Sequence, residues 1–411
     1  MSADAPMSAD EAAETVLVTL TGPDRPGVTA SLFTALSDLD VTVLDMEQVV
    51  VRGTLVLGVL LGGPQARACE PVARAVGTAL GMAVSTSPGA AEVDPRRLGR
   101  LHVTMLGSPL LPAAVAAMAG AVAATGANID RIVRLSSYPV TTIELEVSGA
   151  DPDQLRTALA AAAAAHHVDV AVQRSGLSRR AKRLVVLDVD STLVQDEVIE
   201  LVASEAGCRT EVEEITAAAM RGEIDFEAAL RSRVQLLAAL PEAALIRVRE
   251  RVRLAPGART LMRTLGRLGY RTALVSGGFT QVIAPLAQEL DIDFLAANTF
   301  EIIDGRLTGG LVGPVVDRAG KALALERFAA QAGVPMSQTV AVGDGANDLD
   351  MLRRAGLGVA FNAKPVVRAA ADASLNVPYL DTILYLLGIS REEIEEADAQ
   401  AGMTTPAPPL P

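Results

Sequence analysis

A short apolar run that ends in two acids constrains this chain more than any other feature. Leu184–Val185–Val186–Leu187 shows no polar alternation, and Asp188–Val189–Asp190–Ser191–Thr192 follows it at once. Such a run predicts a strand covered on both faces, as in a parallel sheet. The acids then stand at its carboxyl end, where open α/β sheets take their ligands.

The chain downstream repeats this logic. Residues 196–207 read as a helix whose acidic start suits the helix dipole. Residues 210–252 have apolar positions at three- and four-residue spacing throughout, which predicts an all-helical insert closed by Pro256-Gly257. Strands and helices then alternate. Strand 271–275 ends in Ser276-Gly277-Gly278, strand 339–342 ends in Gly343-Asp344-Gly345-Ala346-Asn347-Asp348, and 358–361 is a last short strand. Residues 294–300 begin an edge region, and Lys321 opens a helix. Alternation of this kind predicts an α/β fold with a doubly wound parallel sheet.

The first 175 residues carry a weak internal repeat. Val16–Leu17–Val18–Thr19–Leu20–Thr21–Gly22 resembles Leu101–His102–Val103–Thr104–Met105–Leu106–Gly107 at an offset of about 85. Each copy reads strand, helix, strand, strand, helix, strand, the ferredoxin-like split unit. Helices are expected at 28–39 and 71–80, and strands at 41–44, 48–51 and 55–61 with a hairpin turn at Arg52-Gly53. The expected organisation is therefore a flexible start (1–14), two such modules (15–95 and 98–175), and a basic linker (176–183). The α/β domain follows (184–396, with its helical cap at about 197–255), then a Pro-rich flexible tail (397–411).

Composition excludes several classes of function. Hydrophobic residues are 50% and the net charge is −13, so a large core is available and non-specific nucleic-acid binding is disfavoured. Cys69 and Cys208 form no CxxC, and the three histidines show no ligand spacing with them, which argues against a zinc site or disulfide framework. Residues 103–129 carry no charge over a span long enough for a bilayer. They are mostly Ala and are broken by Pro109, Pro112, Gly120 and Gly126, so a strand–loop–helix is the better reading. No signal peptide is expected from the acidic first 14 residues, and the expected location is cytoplasmic.

The Asp188-x-Asp190-Ser-Thr element, Ser276-Gly-Gly, Lys321 and Gly343-Asp344-Gly-x-Asn347-Asp348 together resemble the haloacid-dehalogenase superfamily of phosphohydrolases over about 183–390. An EF-hand fails, because Leu193 and Ile199 stand where its Gly and Glu would be. A P-loop fails at Val315 and Ala322. The resemblance implies Asp188 as nucleophile through an aspartyl-phosphate, and Asp190 as general acid and base. It implies Mg²⁺ held by Asp188, Asp190 (through its carbonyl) and Asp344, with Asp348 as a ligand or just behind. Ser276 and Lys321 would hold phosphoryl oxygens. Mg²⁺ would offset the repulsion between a phosphate dianion and a carboxylate nucleophile.

Within the superfamily the chain resembles the phosphoserine phosphatases. Glu197 matches the position that takes the substrate ammonium, Arg233 the carboxylate-binding arginine, Met220 and Phe226 the apolar lid, and Gly277 and Asn347 further substrate contacts. Arg231 is the alternative to Arg233. O-phospho-L-serine is then the implied substrate. Other small phosphomonoesters or phosphoproteins are the nearest alternative, and an amino-acid-sensing protein with an inactive core is an alternative of another class. The N-terminal modules, with Gly22-Pro23-Asp24-Arg25-Pro26-Gly27 between first strand and helix, resemble ACT domains. That resemblance implies an amino-acid effector such as L-serine near Gly22, Asp24 and Gly27, and a homodimer through paired modules. The second module has Ser108-Pro109-Leu110-Leu111-Pro112 in the matching loop.

Overall fold

The computed structural model describes residues 14–89, 100–221 and 223–406, without the side chains of residues 177, 178 and 220. The expected flexible start lies outside these residues except for Glu14. Two compact units divide at residue 95.

In the first unit, β1 (Thr15–Pro23), α1 (Val28–Leu36), β2 (Thr42–Val51), β3 (Thr54–Gly62), α2 (Cys69–Leu80) and β4 (Ala83–Pro88) follow in order. The antiparallel sheet runs β2-β3-β1-β4, the expected split unit. Arg52 and Gly53 both adopt positive φ, 46° and 82°, as a two-residue hairpin turn requires. The two short strands expected before that turn are one, because a register shift between Val43 and Asp45 absorbs the irregularity. Val18, Leu20, Leu32, Leu57, Val59 and Leu61 fill the interior. The edge strand β2 instead exposes Val43, Leu44, Met46, Val49, Val50 and Val51 at 45–60%.

The second unit begins with β5 (Leu101–Gly107), α3 (Pro112–Ala124), β6 (Asn128–Ser136), β7 (Thr141–Ser148), α4 (Pro152–His166) and β8 (Asp169–Arg174). A short α5 (Leu177–Arg180) leads into β9 (Leu184–Leu187). Four cap helices follow: α6 (Val198–Ala206), α7 (Arg209–Met220), α8 (Phe226–Gln235) and α9 (Ala244–Arg251). Then come α10 (Ala258–Arg267), β10 (Arg271–Phe279), α11 (Thr280–Glu289), β11 (Phe294–Ile303), β12 (Arg306–Val312), α12 (Arg318–Gln331) and β13 (Thr339–Gly343). The chain closes with α13 (Leu349–Arg354), β14 (Gly358–Phe361), α14 (Pro365–Arg368), β15 (Ala373–Leu375), α15 (Ile383–Leu386) and α16 (Arg391–Gln400).

Strands β11-β10-β9-β13-β14-β15 pair in parallel, with β9 at the centre. All four residues of β9 have no exposed surface. Val185 and Leu187 pack on one face with Leu261 and Leu265, and Leu184 and Val186 on the other with Leu325 and Phe328. Burying each of these side chains stabilises the fold by roughly 1.5–3 kcal/mol. The edge region expected at 294–300 is a full hairpin, β11 with antiparallel β12. The cap packs on the core through Phe279 and Phe300, whose rings stack at 3.7 Å. Among the described residues no helix is long and apolar enough to cross a membrane.

Two of the expected boundary segments make contacts with the core. In the linker at 176–183, Gly176, Arg180 and Arg183 are exposed, but Arg179 is buried against Glu144 and the Lys182 ammonium donates to Ser337 O at 2.6 Å. The second ferredoxin-like module is thereby locked to the core, and β8 joins β15 in one eleven-stranded sheet. The tail expected from 397 is helical to Gln400. Asp398 is fully buried there and accepts from Arg263 at 2.6 Å and Arg267 at 2.5 Å, so α16 continues past the predicted end. Burial alone would raise the Asp398 carboxyl, but bonds from Arg263, Thr405 and Arg267 hold it at about 2.

Candidate active site

The parallel register brings three strand ends to one edge. Leu187 lies opposite Leu274 on β10 and Val342 on β13, so Asp188, Ser276 and Asp344 emerge side by side. The Asp188 N–H extends the sheet, donating to Val342 O at 2.9 Å. After it the chain coils tightly over Val189–Leu193, with Ser191 at φ 56°, a strained conformation for a non-glycine residue. That coil turns Asp190 and Asp188 toward the same cavity.

Lys321 ties the floor of the site together. Its ammonium, 1% exposed, donates to Asp188 Oδ1 and to Asp348 Oδ1, both at 2.7 Å. Burial by itself would lower the Lys321 pKa, but the charges of Asp188 and Asp348 raise it, so it stays a cation. Asp348 is also fixed by the Gly345 N–H at 2.9 Å. Gly343 has to be glycine: a Cβ there would stand 2.4 Å from Asp348 Cγ. Asp190 accepts from the Val198 N–H at 2.8 Å and from the Ser276 hydroxyl at 3.0 Å, which fixes both carboxylate oxygens. Thr192 donates to Asp344 at 3.2 Å.

These acids crowd one another. Desolvation, then the neighbouring Asp348 charge, pushes Asp188 well above the ordinary carboxylate range. Desolvation also raises Asp190. Asp344 rises to about 6 through burial and the Asp348 charge. Oxygens of Asp188, Asp344 and Asp348 lie within 4.8 Å of one another. An all-oxygen, carboxylate-rich donor set of this kind fits a hard divalent cation, which would relieve the repulsion that Lys321 alone leaves.

The cap supplies the opposite wall. Glu197 is the residue just before α6 and accepts from the Ser191 hydroxyl at 2.9 Å. Burial, then the Asp190 charge, pushes its carboxyl up to about 7. Arg233, on α8, donates to Ala229 O at 3.3 Å and to the Thr216 hydroxyl at 3.2 Å. Burial lowers its pKa, while Glu197 and Asp190 act to raise it. Arg231 instead is exposed and paired with Glu227. Phe226 lies across from Gly277, where a Cβ would meet its ring at 3.4 Å.

A cavity of about 320 Å³ lies between floor and cap. Of the residues expected from sequence, Asp188, Asp190, Glu197, Phe226, Arg233, Gly277, Lys321, Asp344 and Asn347 line it. Ser276 and Asp348 are buried behind the lining and bonded to it. The Met220 side chain lies outside the described residues. Thr216 and Lys364 also line the cavity and were not expected. Lys364 follows the short strand β14, so the strand-end rule applied one strand further would have found it. Thr216 sits mid-helix in the cap and carries no such signal.

In the first unit, Gly22 pairs with Leu55 at the end of β1, and Gly27 precedes α1 at φ +92°, a conformation that favours glycine. The Asp24 N–H donates to Gly53 O at 2.8 Å.

Known proteins agree with this architecture. Residues 185–353 match the haloacid dehalogenase-like hydrolase family, and residues 14–88 and 101–173 each match ACT domain families. The chain is 58% identical over 401 residues to a phosphoserine phosphatase of Streptomyces coelicolor, covering 96% of this chain and 98% of the relative. It is 54% identical over 393 residues to one of Mycobacterium tuberculosis, covering 93% and 95%. A crystal structure of a probable phosphoserine phosphatase from Vibrio cholerae, unliganded, superposes with a TM-score of 0.57 at 34% identity, covering 75% of this chain and 91% of that one. With a phosphohydrolase floor, a cap wall bearing an acid and a guanidinium, and relatives matched over nearly their whole length, the chain belongs to the phosphoserine phosphatase family of haloacid dehalogenase-like hydrolases.

Proposed function

We propose that this enzyme hydrolyses O-phospho-L-serine to L-serine and phosphate, the final step of L-serine biosynthesis, in the cytoplasm. The observation that carries this reading is that Glu197 and Arg233 face the same cavity as Asp188 and Lys321. A substrate with an ammonium, a carboxylate and a phosphate needs an acid, a guanidinium and a cationic phosphate floor.

In this reading the Asp188 carboxylate attacks phosphorus. The bond from phosphorus to the serine oxygen breaks, and Asp190 gives its proton to the departing alkoxide. Asp190 then takes a proton from water, whose oxygen displaces Asp188 and releases phosphate. The raised pKa of Asp190 suits both proton transfers. Lys321 and Ser276 hold the phosphoryl oxygens where charge develops. Glu197 binds the ammonium and Arg233 the carboxylate. Gly277 and Asn347 contact the substrate, and Phe226 with Met220 excludes water. Asp188, Asp344 and the Asp190 carbonyl would hold Mg²⁺, with Asp348 beside them. Bound there, Mg²⁺ supplies the positive charge that lets a dianion approach a carboxylate.

The two ACT modules make control by an amino acid such as L-serine the natural role of the first 175 residues, at the loop containing Gly22, Asp24 and Gly27. The bare apolar edge of β2 supports homodimer formation through paired modules, since monomers rarely leave such an edge uncovered.

The test is phosphate release with and without Mg²⁺, on phosphoserine, phosphothreonine and a sugar phosphate, with and without L-serine. Mg²⁺-dependent turnover strongly favouring phosphoserine is expected. Equal turnover of all three would remove phosphoserine as the substrate, and no response to any amino acid would remove the regulatory role.

A further inference from the structure

We propose that Lys364 is a substrate-binding residue of this site: the cation that draws the phosphate dianion into the mouth of the cavity. The sheet places it there. β14 runs parallel to β13 with Ala360 opposite Gly343, so the segment after Phe361 emerges at the same edge as Asp344. Asn362, at φ 46°, turns the backbone, and Pro365 begins α14 directly after Lys364. The lysine is thus held on a short, conformationally restricted loop and lines the same cavity as Asn347 and Asp344.

Electrostatics supplies the reason. Four carboxylates line the cavity and Asp348 lies behind them, so an arriving dianion meets a repulsive field. Three cations line it: Lys321, Arg233 and Lys364. Lys321 is buried and bonded to two acids, and Arg233 is partly buried in the cap wall. Lys364 alone among the three is solvent exposed. A cation at the rim of a cleft with low-dielectric walls acts on a charged ligand before contact, and its effect falls as salt rises.

The proposal rests on the site taking a phosphomonoester, and the experiment separates the two. Full-length enzyme with saturating Mg²⁺ is assayed on phosphoserine and on p-nitrophenyl phosphate at low and high ionic strength. Lys364→Gln should lose roughly 5- to 20-fold in kcat/KM at low salt on both substrates, mainly through KM, with the gap narrowing as salt rises. Lys364→Arg should stay within about twofold of the unaltered enzyme, because the charge is kept. Inhibition by inorganic phosphate should weaken in parallel in Lys364→Gln. An unchanged kcat/KM for Lys364→Gln at low salt would overturn the proposal. So would a salt-independent loss shared by Lys364→Arg, which would mark a structural role. Were the unaltered chain to hydrolyse neither compound, the phosphatase reading would fall. Calorimetric binding of inorganic phosphate to the unaltered chain and Lys364→Gln would then decide Lys364 on its own.

Discussion

At the floor of the cavity the polar groups stand at the ends of buried parallel strands, whereas at the cap wall they come from α8 and the residue before α6. Asp188 and Asp344 follow strands whose register leaves them little freedom, and Lys321 in the first turn of α12 is bonded to Asp188. Glu197 and Arg233 depend on how an inserted helical layer packs against Phe279 and Phe300. In the proposed reading the floor suits any phosphomonoester, and the wall selects one. A single fold can therefore keep its chemistry while the inserted layer changes its substrate.

Substitutions can break this division in order of expected effect. Asp188→Asn should abolish turnover of phosphoserine and of p-nitrophenyl phosphate alike, by about 10⁴-fold or more, because the proposed nucleophile is lost. Comparable activity in single-turnover assays would end its assignment as nucleophile. Arg233→Ala should cost roughly 10²–10³-fold in kcat/KM on phosphoserine, as expected for one partner of a buried charge pair, yet leave p-nitrophenyl phosphate within about threefold. Equal losses on both would show that floor and wall are not separable.

A pH series sharpens the contrast. The Glu197 carboxyl, pushed up to about 7 by burial, is neutral below that pH and charged above it. In its proposed role, its hold on an ammonium is therefore present at pH 8 and lost as pH falls through 7. KM for phosphoserine should rise roughly tenfold from pH 8 to pH 6, and Glu197→Gln should flatten that change. A KM for p-nitrophenyl phosphate that followed the same curve would place the titration elsewhere. The smallest effect on catalysis is expected far from the cavity. Val50→Asp, on the exposed strand β2, should leave phosphoserine turnover within about twofold while shifting sedimentation from dimer to monomer. A dimer that persists would move the interface off this edge.

The strand ends were legible because each is announced by an unbroken apolar run followed by polar residues, and side chains on parallel neighbours must converge. The paired βαββαβ modules were legible through their repeat. Helix ends and boundaries were not. Whether residues 397–400 continue α16 depends on Arg263 and Arg267, some 130 residues away in sequence, reaching Asp398. Arg179 in the supposed linker is buried only because Glu144 waits for it on β7.

The sequence by itself determined which acids stand on the floor, since local β-pattern and motif spacing specify which of them emerge where the strands stop. Only the tertiary structure decided two things: that the second ferredoxin-like module shares one sheet with the core, and that Thr216 joins the site. The reason is common to both. Each depends on which surfaces meet across long sequence separations, and hydrophobic periodicity along the chain encodes which face is buried but not what it is buried against.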